Sequence, residues 1–233
     1  TITNYSLTSS AGTFTALSGA NSLSGSGTTD EGYWNDIPLG FDFWYMGNRY
    51  TTVSASTNGW LTLGAAIPNA TSTNNLSTGG SPRPVIAPLW DNLNIQAGSN
   101  VTYLTSGTAG SRIFTLQYVN VKWSSAATGN TISFQVKLYE TGGKIEFVYR
   151  RETGTVSAAS ASIGISASAT GSGNFLSLNG TGNAPAASSV TETNTLNNKP
   201  ATGQVYSFLS PTPTAPSNFS GTGILYNGVT LNW

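Results

Sequence analysis

The sequence predicts an all-β fold, in the form of a two-sheet, antiparallel, jelly-roll-like β-sandwich. The clearest evidence lies at 131–149, where apolar and polar residues alternate with the period of two typical of half-buried strands. No segment shows a convincing helical period, and β-branched and aromatic residues dominate the apolar runs. Because this hairpin has one apolar face and no helix is expected to cover it, a second sheet must pack against it.

The glycines at 142–143 predict a tight two-residue turn within this hairpin, since glycine readily adopts positive φ angles. With that turn, Leu138 lies opposite Phe147 and Val136 lies opposite Tyr149. The other face of the hairpin is mostly polar, so the apolar face is the one that must be buried against another layer.

Further runs of alternating or β-branched residues predict strands along the rest of the chain. In chain order these predicted strands lie at 5–7, 12–15, 33–46, 49–57, 60–63, 85–95, 101–104, 112–123, 161–166, 175–178 and 204–209.

Turn residues and breaks in phase define the boundaries of these strands. A turn is predicted at 47–48, and Asn58-Gly59 is the strongest hairpin signal in the chain. The apolar phase of the strand at 112–123 changes near Tyr118, which predicts a β-bulge there. The long polar loop at 65–84 is expected to be either functional or mobile.

The strand pattern divides the chain into three parts. Residues 1–209 are predicted to form the β-sandwich domain, and 210–216 (SPTPTAP) a stiff, extended Pro-rich linker. Residues 217–233 begin a new pattern, which is either the first strands of a truncated Ig-like second domain or a strand-donating tail. In the tail reading, Val229, Leu231 and Trp233 supply the apolar side chains for assembly.

Composition excludes several classes of function. Formal net charge is zero and only 8% of residues are charged, so neither nucleic acid nor an anionic membrane surface is an expected partner. No apolar run is long enough for membrane insertion. The chain contains neither histidine nor cysteine, which excludes Ser-His-Asp and Cys-His catalysis and His-based zinc binding. We therefore expect a protein that is not an enzyme, and the low charge with abundant Thr and Asn favours an extracellular location.

A weak calcium candidate lies within 85–95, where the short apolar strand runs into an Asp/Asn turn. Asp91, Asn92 and Asn94 are rich in the oxygen ligands that Ca²⁺ prefers, but the alternating acidic pattern of a calcium loop is missing. The alternative is an Asx turn, in which these side chains bind only local backbone. No other cofactor is expected.

Exposed aromatic side chains are the candidates for ligand binding. Trp34, Trp44 and Tyr33 could stack on sugar rings, and Trp44 is out of phase with its apolar neighbours. The alternative is that they pack into the core or over the sheets, as most aromatic side chains do.

Two motifs carry a resemblance to a known family. STNGWLTLG at 56–64, followed by APLWDNL at 87–93, resembles the nidogen-like extracellular domain. Together with FQVKLYETGGKIEFVY at 134–149, it is similar to the amino-terminal β-sandwich of large secreted surface proteins of Bacteroidota. This resemblance covers about residues 5–209, and APSNFSGTGILYNGVTLNW at 215–233 looks like the first strands of a fibronectin type III domain.

The resemblance implies a secreted or surface-anchored module for adhesion or extracellular structure, without catalytic residues. Our leading hypothesis is a non-catalytic structural or adhesion protein that binds other protein chains or its own copies by strand addition, building filaments or arrays. The second hypothesis is a carbohydrate-binding module of a larger secreted protein, with polysaccharide as its partner.

Overall fold

The computed structural model describes residues 1–23, 29–95 and 100–211. They form two antiparallel β-sheets of eight and seven strands, with one large apolar core drawn from both. The predicted all-β sandwich is therefore confirmed.

The structure contains one short 3₁₀ turn and fifteen strands within the described residues. In chain order these are the 3₁₀ turn (Ile2–Asn4), β1 (Ser6–Ala11), β2 (Asn21–Ser22), β3 (Tyr33–Tyr45), β4 (Asn48–Ser56), β5 (Leu61–Leu63), β6 (Val85–Trp90), β7 (Leu93–Asn94), β8 (Asn100–Ser106), β9 (Ile113–Trp123), β10 (Ile132–Tyr139), β11 (Ile145–Arg151), β12 (Ser162–Ser166), β13 (Phe175–Leu178), β14 (Ala187–Ser188) and β15 (Gln204–Leu209).

The chain builds each sheet mainly from consecutive strands. The first sheet has the order β1-β15-β11-β10-β9-β8-β2, with β7 attached to β9, and the second has the order β14-β13-β12-β6-β5-β4-β3. The last strand, β15, lies between β11 and the first strand, β1. As a result, β1 is at one edge of the first sheet and β3 is at one edge of the second.

Alternation along β3 shows how the sequence separates core from surface. Leu39, Phe41, Phe43 and Tyr45 are buried, whereas Trp44 between the last two is 54% exposed. Burying one such large apolar side chain stabilises the fold by roughly 1.5–3 kcal/mol. The buried set therefore holds β3 firmly while its other face stays at the surface.

The register of the β10–β11 hairpin differs from the prediction by two residues. Leu138 pairs with Ile145 and Val136 with Phe147, so the predicted pairing of Leu138 with Phe147 is wrong. The loop contains four residues, 140–143, and the Tyr139 N–H closes it on the Lys144 carbonyl at 3.0 Å.

The longer loop has a physical cause in the side chain that begins it. The Glu140 carboxylate accepts hydrogen bonds from the backbone N–H groups of Gly110 and Arg112, both at 2.9 Å. These bonds hold Glu140 against the β8–β9 connection instead of leaving it in the β10–β11 ladder. Gly142 and Gly143 then turn the chain with φ angles of +73° and +59°.

The predicted strand at 12–15 is also wrong, because this segment crosses the outer face of the first sheet. The Gln135 side chain donates to the Thr15 carbonyl at 2.7 Å, and the Leu17 N–H donates to the Gln117 side chain at 2.9 Å. The Arg150 guanidinium carbon lies over the Phe14 ring, 4.7 Å from the ring centroid. The polar face of β9–β11 is therefore partly covered.

The β-bulge predicted near Tyr118 is confirmed. Phe134 pairs with Tyr118, whereas Ile132 pairs with Val121, so β9 contains an additional residue. Asn120 adopts a left-handed φ of +58° at the bulge, a conformation that asparagine tolerates better than most residues.

Two other turn predictions have different outcomes. The turn before β4 lies at Met46-Gly47 and not at 47–48, because Tyr45 pairs with Asn48 and both turn residues have positive φ. The hairpin at Asn58-Gly59 is confirmed, since β4 and β5 pair antiparallel across it.

The long loop at 65–84 packs against the second sheet. Its Ile67, Ala70 and Leu76 are buried, and the first and last of these join a second apolar cluster with Trp60 and Trp90. Both indole N–H groups donate to one backbone carbonyl of this loop, at 3.1 and 3.0 Å. The loop is therefore a structural cover for the outer face of this sheet.

Candidate functional site

Trp44, near the end of β3, is one of two large apolar side chains that are exposed within the described ranges. Its neighbours Phe43 and Tyr45 are 0% and 1% exposed, so strand alternation forces Trp44 outward to 54% exposure. The other exposed large apolar side chain within the described ranges is Val190, at 71%. Trp44 is therefore the natural starting point for a binding site.

Trp44 lies on the wall of a groove with a volume of about 740 Å³. The groove is formed where the β10–β11 loop of the first sheet meets the edge of the second sheet. Its lining residues are Ser6, Trp44, Glu140, Thr141, Gly142, Gly143, Lys144, Leu209, Ser210 and Pro211.

Gly143 allows the loop to approach this closely. A Cβ atom at this position would lie 2.7 Å from the Trp44 carbonyl oxygen, closer than real Cβ contacts allow. With its φ of +59°, this position is suited to glycine for both steric and conformational reasons.

Charged side chains hold the β10–β11 loop in position. Arg112 makes a bidentate ion pair with Glu140, with Nη2 to Oε1 at 2.6 Å and Nε to Oε2 at 2.9 Å. The same guanidinium donates from Nη1 to the Gly40 carbonyl at 2.6 Å. One arginine thus connects the hairpin loop to the edge strand that carries Trp44.

Hydrogen bonding controls the charge states of these carboxylates. The side chain of Arg112, followed by its backbone N–H, lowers the pKa of Glu140 to about 2. A hydrogen bond from Arg49, at 2.7 Å, lowers the pKa of the neighbouring Asp42. Both carboxylates are therefore ionised at neutral pH, and Glu140 is committed to its arginine.

Glu140 is poorly suited to general acid catalysis. A general acid needs a raised pKa, whereas that of Glu140 is lowered. The Trp44 indole instead offers an apolar face, and its N–H has no acceptor among the described residues.

The sheet edges form a second candidate surface. β1 pairs with β15 in unbroken register over Ser6–Ala11 and contains neither proline nor a charged residue. β3 is protected, since it contains Pro38 and Asp42 and has two shifts in register against β4. β2 and β14 are two residues long, so β1 is the edge best suited to pair with a further strand.

The comparison with known families concerns the whole of this sandwich. The family described as NIDO related, meaning nidogen-related, matches residues 4–211. The chain belongs to this family. No curated protein and no solved structure matches the chain.

Membership of the nidogen-related family indicates an extracellular domain of structural or adhesive type. The expected resemblance is thereby confirmed at the level of the family. Within the described ranges, no helix has the length and apolar character needed to cross a membrane.

The three aromatic residues predicted to stack on sugars do not share one surface of this nidogen-related domain. Trp34 is partly buried and packs against the main core, whereas Tyr33 packs against the smaller cluster around Trp60. Trp34 pairs with Ala55 of β4 and Trp44 with Arg49, six residues further along, which puts the two indoles about 20 Å apart at a rise of about 3.3 Å per residue. The groove therefore contains Trp44 alone of the three.

The calcium candidate is placed at a buried junction. Asp91 is 5% exposed, and its Oδ2 accepts from the Trp123 indole at 2.7 Å and the Ser160 N–H at 2.6 Å. Its Oδ1 accepts from the Asn92 N–H at 2.8 Å and the Ser160 hydroxyl at 3.3 Å. These four donors occupy the oxygens that a cation would need, and Asn94 lies in β7. Among the described side chains, no group of three histidine, cysteine or acidic residues is placed to hold a metal ion.

The assembly candidates Val229, Leu231 and Trp233 lie outside the described residues, as does the predicted linker beyond Pro211. Their roles stay predictions.

Sequence reasoning missed Arg112, Glu140 and Gly143 as parts of the site. Only the register of β9 against β10, in which Ile113 pairs with Tyr139, places Arg112 beside Glu140. The available signal was the Gly142-Gly143 pair, which required positive φ but did not reveal what the loop would approach.

Proposed function

We propose that this nidogen-related domain is a non-catalytic structural or adhesion module of the extracellular space or cell surface. It joins other protein chains, including its own copies, by strand addition at β1 to form filaments or arrays.

The observation that carries the proposal is the unprotected edge at Ser6–Ala11. An edge strand presents a row of backbone donors and acceptors to solvent, and proteins usually block such rows with proline, charge or a bulge. β3 has all three features, whereas β1 has none of them. An incoming strand therefore meets no proline, charged side chain or bulge in β1, where the Ser9 hydroxyl donates to the Asn183 carbonyl at 2.8 Å.

The proposed donor is the segment at 229–233 of a neighbouring copy. Its sequence, VTLNW, alternates apolar and polar residues, so one face would cover the core side of the sheet and the other would face solvent. A donor and an acceptor in each chain generate open-ended assemblies, because every added copy brings a new acceptor edge.

The experiment introduces charge on the acceptor edge. Thr8 and Ser10 are exposed, and the double variant Thr8→Lys with Ser10→Lys should form smaller particles than the full wild-type chain. Particle size would be measured by light scattering over a range of concentrations. A matched control introduces lysines at Ala169 and Ser172, which are exposed in the β12–β13 connection. Equal particle sizes for both double variants, or a wild-type chain that is monomeric at every concentration, would contradict the proposal.

The donor is tested separately. Val229→Asp with Leu231→Asp should give the same loss of assembly if this segment supplies the strand. Retention of assembly in this variant together with its loss in the β1 variant would assign the donor strand to another chain or segment.

Carbohydrate binding is the less favoured function. It rests on the single exposed indole of Trp44, since Trp34 and Tyr33 are packed against separate apolar clusters. The occupant of the Trp44 groove is considered separately below.

A further inference from the structure

The chain leaves the sandwich through the groove that contains Trp44. Leu209 ends β15, and the two residues that follow it, Ser210 and Pro211, line the same groove as the exposed indole. Pro211 is itself exposed. Whatever follows Pro211 must therefore begin its path beside Trp44.

We propose that the Trp44 groove binds the chain's own Pro-rich segment, residues 212–216 (TPTAP), in a polyproline II conformation. By doing so, the groove sets the direction in which the chain leaves the domain. This inference is independent of strand addition at β1, because it uses a different surface and a different segment.

Distance favours this segment over any free ligand. A polyproline II helix rises about 3.1 Å per residue, so five residues span roughly 16 Å and cannot move far from the groove. A short tether holds a ligand at an effective concentration in the millimolar range. An intrinsic dissociation constant below this concentration is therefore enough to keep the groove occupied.

The spacing of the prolines fits a single flat wall. Polyproline II has three residues per turn, so Pro213 and Pro216 lie on the same face of the helix. Proline rings on one face are the groups that aromatic-lined grooves bind in Pro-rich peptides. Trp44, exposed over about half of its surface, supplies such an aromatic wall.

Hydrogen bonding and charge are also compatible with this occupant. A polyproline II segment has no internal hydrogen bonds, so its carbonyls are free to accept from the Trp44 indole N–H, which has no acceptor within the described ranges. The charged groups of the groove are already engaged, since Glu140 binds Arg112 and Lys144 binds Glu146 at 2.8 Å. The groove therefore suits an uncharged segment such as TPTAP.

Ring-current shifts test the proposal directly in the full chain. With ¹³C-labelled proline, the ring protons of Pro213 and Pro216 should resonate upfield of their positions in a free TPTAP peptide. Trp44→Leu should return both to the free-peptide positions, and Val190→Ala, at the other exposed apolar site, should leave them shifted. Trp44 is an outward-facing residue, and unchanged amide resonances of β10 and β11 would verify that the Trp44→Leu variant retains its fold.

A variant of the Pro-rich segment tests the same contact by its effect on Trp44. In the full chain, Pro213→Gly combined with Pro216→Gly should move the Trp44 indole N–H resonance and raise its rate of exchange with solvent. This signal is assigned by its absence in Trp44→Leu. The fluorescence of the buried Trp60, Trp90 and Trp123 should not change.

Three outcomes would overturn the proposal. The first is free-peptide positions for both proline rings in the wild-type chain. The second is a proline shift that grows with protein concentration, which would assign the groove to the segment of a second copy. The third is a change in the Trp44 indole resonance on addition of cellohexaose or mannohexaose while the prolines stay at free positions, which would make the groove a sugar site.

Discussion

Individual side chains in this protein take their roles from what surrounds them. Trp44 and Trp123 are chemically identical, but Trp44 projects from the edge strand and Trp123 lies 0% exposed with its N–H bonded to Asp91. Arg112 determines the charge state of Glu140 in the same way, because its guanidinium donates to both carboxylate oxygens. At this scale, hydrogen-bond partners decide charge state and stability.

Glu140→Gln should alter the stability of the domain in acid. The pKa of Glu140 is about 2 in the folded protein and near 4.5 when unperturbed, so the unfolded state takes up the proton first as the pH falls. The stabilisation is complete above pH 4.5 and is lost as the pH falls toward 2. Urea unfolding at a series of pH values should therefore show a lower stability for Glu140→Gln at pH 7 and a smaller loss between pH 4.5 and 2.

Asp36→Asn is the control for that measurement, because it removes an exposed carboxylate at a left-handed position that asparagine tolerates. It should leave the free energy of unfolding at pH 7 close to that of the wild type. Equal acid dependence of Glu140→Gln and wild type would show that the ion pair is not coupled to folding.

Asp91→Asn should destabilise the domain by about 1–3 kcal/mol, because an amide can accept on only one of the two atoms that now receive donors. The loss would be measured as the change in free energy of unfolding in urea. Asn92→Ala, at the exposed neighbouring position, keeps the backbone donor and should be close to neutral. Similar values for the two variants would contradict a structural role for the Asp91 carboxylate.

At the scale of elements, the β10–β11 hairpin shows both the strength and the limit of pattern reasoning. Alternation over β10 and β11 correctly predicts two paired strands with one apolar face. The predicted register differs by two residues because the loop contains four residues, 140–143, and not the two glycines alone. Contacts from Glu140 to the β8–β9 connection extend the loop, and they come from residues about thirty positions earlier in the chain.

Gly143→Ala should cost more than Gly142→Ala, although both glycines have positive φ. A methyl group at Gly142 meets nothing within 4 Å, so only the left-handed conformation opposes it, at about 1–2 kcal/mol. At Gly143 the added Cβ would also meet the Trp44 carbonyl at 2.7 Å, and the loop must move away from β3.

Denaturant unfolding of both alanine variants provides the comparison. We expect the larger loss for Gly143→Ala, accompanied by a change in the environment of Trp44. Equal losses for the two would mean that the loop does not press against the edge strand as described.

At the scale of the whole molecule, polar contacts register the two sheets against each other. The Tyr118 hydroxyl of β9 donates to the Ser56 carbonyl of β4 at 2.7 Å, and the Tyr149 hydroxyl of β11 donates to the Pro88 carbonyl of β6 at 2.5 Å. Apolar packing stabilises contact between the sheets in many relative alignments. These hydrogen bonds are directional and can form in only one alignment.

Tyr118→Phe and Tyr149→Phe should each destabilise the domain by about 1 kcal/mol, the usual net value of a buried hydrogen bond. Burial raises the pKa of both phenols above the ordinary value of 10, so the folded state keeps them protonated. The corresponding stability is complete below pH 10 and is lost as the unfolded state ionises at higher pH. Urea unfolding from pH 8 to 12 should therefore show a shallower alkaline loss in the double variant than in the wild type.

Tyr103 serves as the comparison in this series. Tyr103→Phe removes a partly buried phenol of β8 that packs against the edge of the core. At pH 8 it should lower the free energy of unfolding less than either buried variant does. An unchanged alkaline slope in the double variant would refute the assigned role of the buried phenols.

The sequence alone determined the fold class, most strand positions, the bulge near Tyr118 and the outward direction of Trp44. These are local properties, because alternation and turn chemistry act between residues close together in the chain. Only the tertiary structure decided the length of the hairpin loop, the burial of Asp91, the cover formed by 65–84 and the groove beside Trp44. Each of these depends on residues far apart in sequence, such as Arg112 with Gly40 or Asp91 with Ser160, which no local period can bring together.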